Sequence, residues 1–198
     1  YDLLLKLKEQ AKSQLFSKKS VISWFKKKKP DATLTVVDGQ VFISEETPLA
    51  FLEGVLYAAR SGFEVSDQTL IQAKKRFAAG IVLGEKEQVV FKEFFELESG
   101  LYPAFYALYL SGFLQAFLPC YEEMLYRPQL DFYHSFTLDQ HSLLTLKFLS
   151  AYYRENQNSL FSKTLRELSP EEKQTLIYAL LLHDAGKTRE GDHIENNR

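Results

Sequence analysis

Leu180-Leu181-Leu182-His183-Asp184-Ala185-Gly186-Lys187 is a leucine-rich segment that ends in two metal-competent side chains, a glycine and a lysine. The residues before it read as a helix with a defined start. Ser169 is a candidate N-cap, Pro170 occupies the first helical position, and Glu172 falls three residues after the cap, the spacing of a capping box. Leu176, Ile177, Leu180 and Leu181 then recur at helical spacing and predict one buried face. His183 lies three residues beyond Leu180 and Asp184 four, so the period directs both toward that face before the helix stops at Gly186. A carboxylate facing a core is costly unless it is paired or coordinates a metal. Imidazole and carboxylate together suit zinc, manganese, iron or magnesium. Read alone, the pair also fits a helix C-terminus, where the negative end of the dipole favours a histidine.

A second stretch, Tyr133-His134-Ser135-Phe136-Thr137-Leu138-Asp139-Gln140-His141, repeats the pattern of a histidine beside an apolar helix. Leu144, Phe148 and Tyr152 follow His141 at spacings of three, four and four, which predicts that His141 faces the same core as the first turn of its own helix. If the two helices pack together, His141, His183 and Asp184 converge on one ion. His134 is expected to support the site's rim or to be structural.

These words carry a resemblance. A histidine at a helix start, followed about forty residues later by an apolar helix ending in His183-Asp184-Ala185-Gly186-Lys187, resembles the HD superfamily of metal-dependent phosphohydrolases. Tyr133 to Leu146 and Leu180 to His193 are similar to the HD domain of bacterial PII uridylyltransferase/uridylyl-removing enzymes. There a Tyr-His and a Thr-(Val/Leu)-Asp precede the first ligand, and a Gly-Asp-His follows the HD helix; Gly191-Asp192-His193 stands in that place here. A weaker likeness runs through Gly112 to Pro119 and Arg60 to Ser66.

The resemblance implies a mainly α chain. Residues 1–127 are expected to form a helical connector with one short β-hairpin, and residues 128–198 the first helices of an all-α HD domain. It also implies that His141, His183 and Asp184 bind a divalent metal, manganese or magnesium first, with iron or zinc as the other options. Lys187, one turn beyond the pair, would hold a phosphate oxygen, or alternatively favour the helix dipole. His193 would bind a second ion or protonate the leaving group, or be a surface-loop histidine. The implied reaction removes UMP from a tyrosine of the PII signal protein, in a parent that also transfers UMP from UTP under glutamine control. The family's last ligand is an aspartate far downstream. Glu190, Asp192 and Glu195 are too close in sequence to supply it, so the ligand set within this chain is expected to be incomplete. No nucleotidyltransferase signature precedes the helices, and the chain begins at Tyr1, so it is expected to be a piece of a longer protein. Two other readings stand beside this one: an HD phosphohydrolase acting on a different nucleotide or phosphoester, and a non-catalytic HD module.

The composition sets the bounds. With 198 residues, 45% hydrophobic and 25% charged, the chain is an ordinary globular sequence long enough for one or two cores. Its net charge of −2 gives no global attraction to DNA, and no apolar run reaches spanning length. The single cysteine, Cys120, cannot form an intrachain disulfide and fits a cytoplasmic location; it is expected to pack beside Leu118 and Tyr121.

Toward the N-terminus, Tyr1 to Phe25 reads as a helix, and Lys26 to Lys29 as a solvated basic loop. Thr33 to Val37 and Gln40 to Ile43 flank Asp38-Gly39, a hairpin signal, and the hairpin should lie against helices. Helices are predicted from Thr47-Pro48 to Gly62, from Asp67 to Ala79, from Glu85 to Glu98, and within Tyr102 to Tyr121. Arg127 to Asp131 marks a domain boundary, Asn156 to Ser159 a loop, and Thr188 to Arg198 a loop at the mouth of the site.

Overall fold

The hairpin comes first and is built by its turn. In the computed structural model, which describes residues 34–45, 47–128, 136–155 and 159–188, β1 (Leu34–Val37) and β2 (Gln40–Ile43) pair antiparallel. Asp38 and Gly39 take φ of 49° and 78°, the doubly positive geometry of a type I′ turn that matches strand twist. The predicted Tyr1–Phe25 helix, the Lys26–Lys29 run and Asn156–Asn158 lie outside the described residues, as do His134, His193, Glu190, Asp192 and Glu195.

The hairpin is covered by α1 (Pro48–Ser61), as its marginal stability alone requires. Thr47 caps α1 by accepting from the Ala50 amide, and Gly62 ends it in the left-handed region at φ 69°. The helix carries Leu52, Val55 and Leu56 into the core. Each such burial contributes about 1.5–3 kcal/mol. Gly54 is where helix and sheet meet: a Cβ there would collide with the Ile43 side chain. After α1 the chain returns as β3 (Glu64–Val65), parallel to β2. Sequence reading misses this strand because two residues carry no periodic signal; α1 serves as its crossover.

α2 (Asp67–Phe77), capped by Ser66, and α3 (Glu85–Lys92) follow. The helix predicted from Glu85 to Glu98 tightens after Lys92 into a 3₁₀ turn, Glu93–Glu96, which buries the adjacent Phe94 and Phe95. α4 (Leu101–Leu110), α5 (Phe113–Phe117) and α6 (Pro119–Met124) divide the Tyr102–Tyr121 region at Gly112 and Pro119. Phe77, Phe91, Phe113 and Phe117 form a chain of ring contacts with centroids 5.1–5.9 Å apart. The abundant phenylalanine is therefore used for packing.

The last elements are α7 (Leu138–Glu155), α8 (Leu160–Glu167) and α9 (Pro170–Leu182). The Ser169–Glu172 capping box forms as expected, with both reciprocal hydrogen bonds in place. α7 is rotated relative to the periodicity read from Leu144, Phe148 and Tyr152. Its buried face is Leu138, Leu143, Leu146, Leu149 and Tyr153, whereas Phe148 is 66% and Tyr152 41% exposed. Tyr152 instead packs edge-on against Phe161 of α8. Both stripes satisfy a helical period, and packing against α4 and α9 selects the one with more leucine. The result is a mainly α fold with a small three-stranded sheet. No helix among the described residues is long and apolar enough to cross a membrane.

Candidate metal centre

α7 and α9 pack side by side; the Thr145 hydroxyl of α7 donates to the Ser142 carbonyl at 2.6 Å and lies 3.3 Å from the Leu180 carbonyl of α9. The start of α7 is pinned by the Leu138 amide, which donates to the Arg127 carbonyl at 3.0 Å, and by an isolated bridge between Pro128 and Thr137. These contacts bring His141, near the start of α7, alongside the end of α9.

α9 ends earlier than the glycine suggests. Leu182 is its last helical residue, His183 is the cap, and the chain tightens into a second 3₁₀ turn, Ala185–Thr188, that includes Gly186. The Lys187 amide closes this turn on the Asp184 carbonyl at 3.1 Å. Thr188 ties it to α6 through Glu123, 3.3 Å away. His183 and Asp184 thus sit at a corner, and their side chains diverge in exposure. Asp184 is 6% exposed, while the His183 side chain is 37% and that of His141 30% exposed. The expectation that both members of the pair point inward holds for Asp184 alone.

Asp184 Oδ2 is the focus of the site. His183 Nε2 is 3.5 Å from it, His141 Nε2 3.9 Å, and Lys187 Nζ donates to it at 3.0 Å. The two imidazoles lie with centroids 5.3 Å apart. One donor atom from each of His141, His183 and Asp184 falls within 4.8 Å of the other two, a group able to hold a metal ion. A buried carboxylate just past a helix C-terminus faces the negative end of the dipole, the wrong end for an anion by about 0.3–1 kcal/mol. The Lys187 ammonium, at 3.0 Å, offsets part of that placement.

The donor set fits a divalent ion on two grounds. At metal–ligand bonds of about 2.1 Å, two ligands of one ion stand about 3.0–3.4 Å apart at right-angle to tetrahedral geometry, close to the observed His–Asp separations. The second ground is the tautomer of His183. Its Nδ1 lies 2.9 Å from the Leu180 carbonyl, which can only accept, so Nδ1 carries the proton. Nε2 then faces a carboxylate oxygen, and when it carries no proton it presents a lone pair to that oxygen. Two acceptors would then face one another, an arrangement that a cation between them satisfies. A histidine oriented through its distal N–H onto a backbone carbonyl is the usual support of a metal ligand.

Sequence reasoning brought out His141, His183, Asp184 and Lys187, and the fold gathers all four. It did not bring out Thr145 and Glu123, which lie 3.3 Å from the Leu180 carbonyl and from Thr188, because single polar contacts between helices carry no spacing signal. A cavity of about 320 Å³, lined by Phe63, Glu64, Tyr102 and Tyr106 among others, lies between α1 and α4, and none of the four site residues borders it.

The chain is similar over about half its length to bifunctional uridylyltransferase/uridylyl-removing enzymes. The enzyme of Vibrio campbellii is 35% identical over 98 residues, which are 48% of this chain and 11% of that protein. That of Vibrio cholerae is 33% identical over 99 residues, 49% of this chain and 11% of the relative. That of Vibrio vulnificus is 32% identical over 108 residues, 53% and 12%. The chain thus spans about a tenth of the length of these relatives. No family model and no solved structure matches it.

Proposed function

We propose that this chain is part of an enzyme that adds uridylyl groups to, and removes them from, a PII signal protein, and that residues 128–198 begin its HD phosphohydrolase domain. Residues 1–127 are then the helical connector. The observation that carries the reading is the convergence of His141, His183 and Lys187 on Asp184 Oδ2, joined to the similarity to enzymes named for uridylyl removal.

In this reading His141, His183 and Asp184 hold a divalent ion, manganese or magnesium. When bound, the ion supplies Lewis-acid polarisation of the phosphoryl group and an activated water at neutral pH. The protein's own part is orientation. The Leu180 carbonyl fixes the His183 tautomer, and the buried Asp184 supplies the negative charge that localises the ion. Lys187, on the 3₁₀ turn after α9, swings its ammonium from Asp184 to a non-bridging phosphoryl oxygen of the tyrosyl-UMP ester. His193, beyond the described residues, is the candidate to protonate the leaving tyrosyl oxygen. Two of the three ligand side chains are about one-third exposed, which suits a phosphoester presented on the surface of another protein. UTP and glutamine belong to the parent's other activity and its control, and a cytoplasmic location follows from these partners.

The test uses the complete natural protein with uridylylated PII protein and manganese, and follows the mass of the PII chain. Loss of one UMP mass, abolished by His183→Ala, is expected. An unchanged mass with folded, manganese-loaded protein overturns the reading.

A further inference from the structure

Asp139, the aspartate of the Thr-Leu-Asp that precedes His141, is 0% exposed and is not one of the four side chains gathered at the metal centre. It stands in the first turn of α7, two residues before His141. Its Oδ2 accepts a 2.8 Å hydrogen bond from the Tyr109 hydroxyl of α4, and its backbone carbonyl accepts one of 3.0 Å from the Tyr121 hydroxyl of α6. The two phenol rings meet edge to face, centroids 6.4 Å apart. Burial, with the Asp139 charge adding to it, pushes both phenols above their ordinary range, so both remain donors.

A fully buried carboxylate is an expensive way to fill a core. The positive end of α7 and the Tyr109 hydroxyl offset part of that cost. Oδ1 nevertheless has no hydrogen-bond partner among the described residues, and neither do the buried hydroxyls of Thr137 and Ser142 on the same turn. An apolar side chain here would leave no carboxylate oxygen unsatisfied. What it could not do is give Tyr109 of α4 an acceptor on the turn that Tyr121 of α6 already bonds through the main chain, and the next residues of that helix carry His141.

We propose that Asp139 is a positioning residue for His141: clamped by Tyr109 and Tyr121, it sets the height and rotation of α7 that bring His141 Nε2 to 3.9 Å from Asp184 Oδ2. The inference rests on reading His141, His183 and Asp184 as a metal site. The His141 amide's bond to Thr137 keeps the turn helical and the Leu138–Arg127 bond anchors its start, while the clamp fixes its place against α4 and α6.

The experiment is a Mn²⁺ titration of the complete protein by calorimetry, for the wild type, Asp139→Asn, Tyr109→Phe and, as a destabilised control in the same helix, Leu146→Ala. Circular dichroism sets a temperature at which all are folded. Tyr109→Phe, which removes the bond to Oδ2, is expected to weaken Mn²⁺ binding by about 10- to 100-fold, the range for groups that orient a ligand. Asp139→Asn, whose amide oxygen can still accept that bond, should weaken it less, and Leu146→Ala should leave it unchanged. If Asp139→Asn does not fold, Tyr109→Phe carries the test. Unchanged Mn²⁺ affinity in the folded clamp variants, or an equal loss in Leu146→Ala, overturns the positioning role while the metal site stands. Absence of saturable Mn²⁺ binding by the wild type overturns the metal site and this inference with it.

Discussion

Replacing Lys187 by glutamine should tighten metal binding while it slows hydrolysis. The Lys187 ammonium donates to Asp184 Oδ2 at 3.0 Å, the oxygen on which both histidines converge. A divalent ion bound to that oxygen at about 2.1 Å stands about 4.5 Å from the ammonium. The repulsion between charges of +2 and +1 at that distance is about 2 kcal/mol in a water-like dielectric and larger in a drier one. Lys187 is 32% exposed in its side chain and can swing away, so about 1–2 kcal/mol of that repulsion is realised. Lys187→Gln is therefore expected to lower the Mn²⁺ dissociation constant by about 5- to 30-fold. Loss of the point charge from the phosphoryl oxygen should act in the opposite direction on kcat/KM for uridylylated PII protein. Calorimetric Mn²⁺ titration and a mass-based hydrolysis assay on the same preparation read the two effects. Unchanged or weaker Mn²⁺ affinity would refute the placement of the ion beside Lys187, and unchanged hydrolysis would refute its role on the phosphoryl group.

Tyr109 and Tyr121 keep their protons above the ordinary value of 10.0, first because burial disfavours the phenolate and then because of Asp139. The unfolded chain gives up those protons first, so the stability they lend is complete below pH 10.0 and falls as pH rises above it. Urea midpoints at about pH 9 and about pH 11 should show this fall, and Tyr121→Phe should lessen it; an equal fall in the variant would exclude Tyr121 as a source. The rotation of α7 predicts a contrast between two apolar residues two positions apart. Phe148, 66% exposed, should tolerate serine within about 0.5 kcal/mol, whereas Leu146→Ala should cost about 2–5 kcal/mol because Leu146 is 0% exposed. Equal losses in denaturant titrations would put α7 back on the Leu144–Phe148–Tyr152 face.

Much of this protein was legible in the chain because the signals are local. The Asp38-Gly39 turn, the Thr47 and Ser169 caps and the glycine at 62 act within a few residues of themselves, and each stands where its chemistry placed it. His141, His183, Asp184 and Lys187 were legible for a different reason: their residue types are conspicuous on apolar helices. The rotation of α7 was not legible, since two stripes of one helix share the same period and only the neighbouring helices choose between them. β3 was hidden because its two residues owe their strand to the partner Val41 rather than to their own pattern. The corner at His183 was hidden because the turn after α9 packs on α6, where Thr188 and Glu123, 65 residues apart in sequence, come within 3.3 Å. The sequence by itself determined the residue types that can bind a cation and the helices that carry them. Only the tertiary structure decided that Asp184 is the buried member, that the Leu180 carbonyl sets the His183 tautomer, and that Asp139 with two distant tyrosines holds His141 in reach. Each of those depends on atoms brought together by packing, and periodicity does not encode which partners a face will meet.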